Sequence, residues 1–224
     1  MSATDELLAN NESYAGSFSK GDLPIPPARK VAVLACMDAR LDPARLLGLE
    51  EGDAHVIRNA GGVVSERALQ EPDIHGTRMS PSDSPGMPAK KLAVLACMDA
   101  RLAPAKLLGL EEGDAHVIRN AGGVVTDDAI RSLAISQNLL GTEEIVLIHH
   151  TDCGMLTFTD DEFAAKLEEE TGSRPKWKAH CFGDLDDDLR NCIARIKADP
   201  FIPRTEHVRG FVYEVETGRL REVS

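Results

Sequence analysis

The chain has 224 residues, of which 42% are hydrophobic and 28% charged, enough apolar material for one or two folded domains. Its formal net charge of −12 excludes a nucleic-acid partner, because phosphate binding needs a basic surface. The opening MSATDELLANNESYAG is polar and acidic, without the apolar core of a signal peptide. No stretch reaches the ~18 apolar residues of a membrane span, so the expectation is a cytoplasmic protein with no membrane contact.

In chain order, residues 1–30 lack a long apolar period and read as an N-terminal arm that packs on something else, such as a partner subunit. Residues 31–64 (VAVLACMDARLDPARLLGLEEGDAHVIRNAGGVV) return as residues 92–125 at an offset of 61, with changes only at Val31/Leu92, Asp42/Ala103 and Arg45/Lys106. Two near-identical units are not a solenoid, which needs three or more. A partial duplication or a chimera is the simplest reading. Residues 65–91 are rich in Pro, Ser, Gly and Asp and read as a linker, with a short helical start at Glu66–Gln70.

Residues 92–224 carry the regular alternation of strand and helix. Leu92–Cys97 is a continuous apolar run, the pattern of a buried parallel strand. A short helix is expected over Pro104–Leu110, then a strand at Ala115–Arg119 and a turn at Asn120–Gly123. Thr126 caps a helix that Gly141 stops, and Glu144–His149 is the next strand. Thr159 and Glu162 form a capping box for a helix ending near Gly172. A further helix spans Asp186–Lys197, and Val208–Val215 with Leu220–Val223 make a terminal hairpin around Thr217–Gly218. The fold class is therefore α/β, with a mostly parallel central sheet flanked by helices and a duplicated strand-helix-strand segment.

Five cysteines stand at Cys36, Cys97, Cys153, Cys181 and Cys192. An odd number in a reducing compartment points away from a disulfide framework and towards metal binding or reactivity. Cys97 ends one strand, and the strand Glu144–His149 runs into His150-Thr151-Asp152-Cys153. Open α/β sheets gather ligands beyond the carboxyl ends of their strands. The two-residue gap lets His150 and Cys153 face one metal, and Cys97 completes a Cys₂His set. Zinc favours such ligands, and three of them leave the fourth position for water.

The motifs CMDAR, RNAGG and HHTDCG resemble the β-class carbonic anhydrases, over about residues 5–40 and 90–224. The resemblance implies zinc on Cys97, His150 and Cys153. Asp99 and Arg101 would form a dyad in which the Asp orients the zinc-bound water or swings in as a fourth ligand. It also implies the zinc lyase activity of a carbonate dehydratase, reversible hydration of CO2 to bicarbonate by zinc-bound hydroxide. Homodimers or homotetramers with the active-site cleft between subunits are implied too. Hydrolysis of CS2 or COS on the same zinc site is an alternative, as is a zinc-binding protein impaired by the duplication.

The first copy offers a competing set, Cys36, Asp38 and Arg40, for the one His-x-x-Cys. The second copy is preferred because it runs directly into the helix and strand that follow. The boundaries are an arm at 1–30, the duplicated segment at 31–64, a linker at 65–91 and a β-carbonic anhydrase-like catalytic domain at 92–224. The first copy is left to be exposed and poorly ordered, to extend a sheet edge, or to replace its twin in its own sheet or, as a domain swap, in a partner's, with impaired solubility or altered assembly as the expected cost.

Other candidates have plainer readings. His149 is expected as a packed neighbour, while Asp152 either shapes its turn or contacts the site. His55 and His116 read as structural residues of their strands. Asn120–Gly123 serves either as a tight turn or as backbone N–H groups near substrate. His180-Cys181 lacks a partner spacing for metal. Cys192, Trp177 and Phe182 read as packing, and Asp184–Asp188 as a solvated helix start.

Overall fold

The computed structural model describes residues 2–64 and 86–223; the helical start expected at Glu66–Gln70 lies outside the described residues. A seven-stranded sheet forms the centre, in the order β1-β2-β4-β3-β5-β6-β7. Its strands are β1 (Val31–Cys36), β2 (Ala54–Asn59), β3 (Leu92–Cys97), β4 (Ala115–Asn120), β5 (Glu144–His150), β6 (Val208–Tyr213) and β7 (Leu220–Val223). Four junctions are parallel, and the β2/β4 and β6/β7 junctions are antiparallel. The sheet is thus mostly parallel, as its continuous apolar strands require.

Local chemistry sets the helices. The short α3 (Pro104–Leu108) starts on a proline and ends at Gly109 in the left-handed conformation, two residues before the expected end. Helix α4 (Asp127–Asn138) begins where the Thr126 side chain accepts from the Ala129 N–H, and it ends ahead of Gly141. Helix α5 (Asp160–Thr171) has the expected Thr159/Glu162 capping box. Helix α6 (Leu185–Ala198) is capped by Asp184, so the acidic run there is a helix start. Strand β6 is shorter than expected because Glu214–Gly218 closes the hairpin, the Gly218 N–H donating to the Glu214 carbonyl at 2.8 Å.

The N-terminal region differs most from the sequence expectation. It contains helix α1 (Ala3–Gly16), opened by a Ser2/Asp5 capping box. The helix docks on its own chain. Glu144 accepts from the Thr4 hydroxyl at 2.7 Å and from the Ala3 and Thr4 N–H groups. Asn11 donates to the Gly218 carbonyl at 3.0 Å and accepts from the Leu220 N–H at 2.9 Å. Polar anchors hold this helix, with Leu7 its one buried apolar side chain, and so no apolar period announced it.

The core gathers around β3 and β5, where Leu92, Leu95, Ile145 and Leu147 are fully buried. The first copy builds its own strand-helix-strand unit, with α2 (Pro43–Leu47) between β1 and β2. Of the three seats open to it, this unit takes the sheet edge, along β4.

Candidate metal centre

Strands β3 and β5 are parallel neighbours in the register Leu92↔Glu144 to Ala96↔Ile148, so their carboxyl ends coincide. Cys97 is the last residue of β3 and His150 the last of β5. The Thr151-Asp152 turn, with Asp152 at φ 54°, brings Cys153 back over the strand ends. The two sulfurs and an imidazole nitrogen lie within 4.8 Å of one another, and all three residues are buried. Gly123 explains the closing turn of RNAGG. Its φ is 69°, and a Cβ there would sit 2.7 Å from the Cys97 backbone nitrogen.

The histidine tautomer follows from one hydrogen bond. Nδ1 of His150 lies 2.9 Å from the Thr151 carbonyl, which can only accept, so Nδ1 carries the proton and Nε2 presents a lone pair. That Nε2 is buried without a hydrogen-bond partner. Burial opposes charge on His150, yet the Cys97 sulfur beside it and the Asp99 carboxylate raise its pKa above the ordinary value. The hydrogen bond from Cys153 holds Cys97 well below the usual thiol range, with His150 helping against the cost of burial. Cys153, the donor of that bond and buried itself, is pushed up. An unpaired buried nitrogen beside two buried sulfurs is costly unless something takes their lone pairs. The donor set of two sulfurs and one imidazole nitrogen fits zinc.

Beside it, Arg101 grips Asp99 with two parallel bonds, Nε to Oδ1 at 3.0 Å and Nη2 to Oδ2 at 2.9 Å. Burial would raise the Asp99 pKa, but Arg101 and His150 hold it below the ordinary value. Arg101 also donates to the Asp152 carboxylate at 2.7 Å and to its carbonyl at 2.9 Å. Asp152 therefore both shapes the turn and contacts the dyad. Arg119 is a positioning residue that sequence reasoning missed. Its guanidinium donates to the carbonyls of Cys97, Asp99 and Leu102 at 2.8–3.0 Å, stapling the CMDAR loop. Burial lowers its pKa to about 10. The available signal was a cation ending the apolar strand AHVIR.

A cavity of about 540 Å³ opens over Cys97, Asp99 and Cys153, and its wall is mostly apolar, including Met155, Phe158 and Trp177. Trp177, expected as packing, thus lines the cavity. Phe182 stacks on His149 at 5.4 Å, and His149 Nε2 bonds Asp188 at 2.8 Å, which makes His149 a packed neighbour. His149, Asp188 and Cys192 form a second group with metal-capable atoms. Asp188 already accepts hydrogen bonds from both other members. Cys181 and His180 join no such group among the described residues.

The competing first-copy set is only partly assembled. Arg40 grips Asp38 as Arg101 grips Asp99, with bonds of 2.9 and 2.6 Å. Cys36 is half-buried and belongs to no metal-capable group among the described residues. The structure therefore brings Cys97, and not Cys36, to His150 and Cys153.

Comparison with known proteins agrees with this geometry. The sequence matches the family model described as carbonic anhydrase over residues 31–77 and 92–220. It is 43% identical to β-carbonic anhydrase 1 of Mycobacterium tuberculosis, covering 100% of this chain and 99% of that protein. A carbon disulfide hydrolase of Saccharolobus solfataricus is 41% identical, over 59% of this chain and 77% of its own. A crystal structure of the Streptococcus mutans carbonic anhydrase superposes with a TM-score of 0.59 at 46% identity, covering 67% of this chain and 89% of that one. With both stretches of the family model and a full-length relative accounted for, the chain belongs to the carbonic anhydrase family.

Proposed function

We propose that this chain hydrates carbon dioxide reversibly to bicarbonate, with zinc held by Cys97, His150 and Cys153. The observation that carries the reading is the buried, unpartnered Nε2 of His150 converging with two buried cysteines. Zinc on three such ligands lowers the pKa of water towards neutrality and so supplies a hydroxide nucleophile. Asp99 lies 3.7 Å from His150 Nε2, and both its oxygens are engaged by Arg101. That grip favours Asp99 as the hydrogen-bond acceptor that orients the nucleophile, over Asp99 as a fourth ligand. Arg101 is itself buried and tied to Asp152, so the dyad is held in place before substrate arrives. The apolar cavity wall suits a small nonpolar substrate.

Hydrolysis of CS2 or COS is the second reading, supported by the 41% identity to a carbon disulfide hydrolase. The CO2 reading is preferred because the resemblance to a β-carbonic anhydrase runs the full length of this chain. Stopped-flow CO2 hydration, a CS2 assay and metal analysis on one preparation decide among the readings. The expected result is one zinc per chain and CO2 hydration far above CS2 hydrolysis. Cys97→Ser should lose zinc and at least about 100-fold in rate, while Cys36→Ser changes neither. Zinc binding without either activity would mean that the duplication has disabled the site.

A further inference from the structure

The two copies meet about a local two-fold axis. Arg58 of β2 pairs antiparallel with Arg119 of β4, its own repeat equivalent. Backbone bonds across the seam come in matched pairs. Gly52 N–H donates to the Ala100 carbonyl at 2.8 Å, and Gly113 N–H to the Ala39 carbonyl at 2.7 Å. Val56 N–H donates to Met98, and Val117 N–H to Met37, both at 3.2 Å. The ion pairs Arg45–Glu112 at 3.4 Å and Lys106–Glu51 at 3.7 Å repeat the symmetry. Each residue of one copy meets in the other the equivalent of its own counterpart's partner. That is the isologous pattern of a symmetric dimer interface, here within one chain.

The seam also reaches the metal cavity. His55 of β2 lines it with Cys97 and Asp99, and the buried Nδ1 of His55 has no hydrogen-bond partner. Its equivalent His116 is saturated, with Nδ1 2.8 Å from Ser136 Oγ and Nε2 2.9 Å from the Gly86 carbonyl. One residue type at one strand position is thus saturated in the second copy and, in the first, lines the cavity with one ring nitrogen unpartnered.

We infer that the first copy is a built-in partner for the second: it closes the β4 edge as a second subunit would, and it completes the cavity wall with His55. Tethering through residues 65–91 places the two halves of the seam at an effective concentration of roughly millimolar. The intrachain seam therefore outcompetes pairing between chains at lower protein concentrations. Any homodimer or homotetramer then uses another surface.

Zero-length carbodiimide cross-linking of the native full-length chain, followed by denaturing electrophoresis and peptide mass analysis, tests the seam. Lys106 lies 3.3 Å from the exposed Glu50 and 3.7 Å from Glu51, whose side chain is buried. The expected peptide joins Lys106 to Glu50 or Glu51 and comes from the 24.2 kDa band. Finding it only at twice that mass would overturn the proposal. So would its absence where Lys91–Glu143, at 2.9 Å, does cross-link. A second arm rests on the carbonic anhydrase reading. His55→Phe should raise KM about two- to tenfold, the size of one lost hydrogen bond, with zinc content and cross-link yield unchanged, and His55→Gln should restore most of it. An unchanged KM in His55→Phe would remove His55 from the cavity's function. Because the cross-link does not depend on catalysis, a failure of the seam and a failure of the activity are distinguishable.

Discussion

The two copies of the repeat are nearly the same sequence in two different surroundings. Leu92, Leu95, Leu107 and Leu108 of the second copy are at most 1% exposed, while Val31, Leu34, Leu46 and Leu47 at the equivalent places are 40–71% exposed. Both copies nonetheless form strand, short helix and parallel strand with matching bounds. Both fold the Asp-x-Arg pair and both staple the loop with an arginine, Arg58 bonding the carbonyls of Cys36, Asp38 and Leu41 as Arg119 does in its own copy. Local structure is thus a property of the segment. Burial and chemistry come from what the chain places around it, because β5 pairs with β3 and not with β1 and α1 rests on α3. A Cys-x-Asp-x-Arg motif gains a metal-capable set of ligands only where β5 delivers His150.

The buried dyad and its exposed twin should break apart under substitution. Asp99 and Arg101 have side chains 6% and 5% exposed, whereas Arg40 is 54% exposed. Asp99→Asn strips a buried cation of its main partner and should cost about 3–5 kcal/mol in metal-free protein, measured by denaturant unfolding. Asp38→Asn should leave the unfolding curve close to unchanged. The pH dependence has a definite sign. The folded-state pKa of Asp99 lies below its ordinary value of 3.8, so its stabilisation is complete above that value and is lost as pH falls through the folded pKa. The gap between wild type and Asp99→Asn should therefore close in acid. A gap that widened there would contradict the assignment.

The apolar positions give a smaller contrast with the same logic. Leu95→Ala removes a side chain from the centre of the core and should cost about 2–5 kcal/mol. Leu34→Ala, at the equivalent place on the outer strand, should cost less than about 1 kcal/mol. An equal loss at Leu34 would mean that its face is covered in solution. The exposed set extends to Val64, and patches of this kind mark sites of association.

Much of this was legible in the sequence, and the exceptions have a common cause. β3, β4 and β5 announce themselves as apolar runs, and α4 and α5 by their caps, because those signals are local. The Cys₂His set was legible in its parts, because the His-x-x-Cys spacing and the strand ends are local, whereas the meeting of Cys97 with His150 depends on β3 pairing with β5. The helix α1 was not, since Glu144, Gly218 and Leu220 hold it through Thr4 and Asn11 over more than a hundred residues of separation. Nor was the seat of the first copy, because two near-identical segments carry no internal preference for a place in the sheet. Connectivity, with Val125 leading directly into α4 and on to β5, assigned the second copy its place beside β5 but left the seat of the first open. The contrast between His55 and His116 was hidden too, since His116 finds its partners in Ser136 and Gly86 outside the repeat, while Nδ1 of His55 finds none.

One of the three differences between the copies has a local consequence that can be measured. Asp42 caps α2, its Oδ1 accepting from the Ala44 N–H at 3.0 Å and the Arg45 N–H at 3.3 Å. Ala103 stands at the same place before α3, where no side chain caps the helix. Both helices begin with proline and end at a left-handed glycine, so apart from the Arg45/Lys106 exchange the cap is what distinguishes them. Ala103→Asp should add about 0.5–1 kcal/mol to global stability, because α3 packs Leu107 and Leu108 into the main core. Asp42→Ala removes the same kind of cap from a helix at the edge. It should speed hydrogen exchange of the α2 amides with little shift of the global transition. If Asp42→Ala instead lowered the global transition as much as Ala103→Asp raised it, the first copy would unfold together with the second, and the difference in their surroundings would not extend to cooperativity.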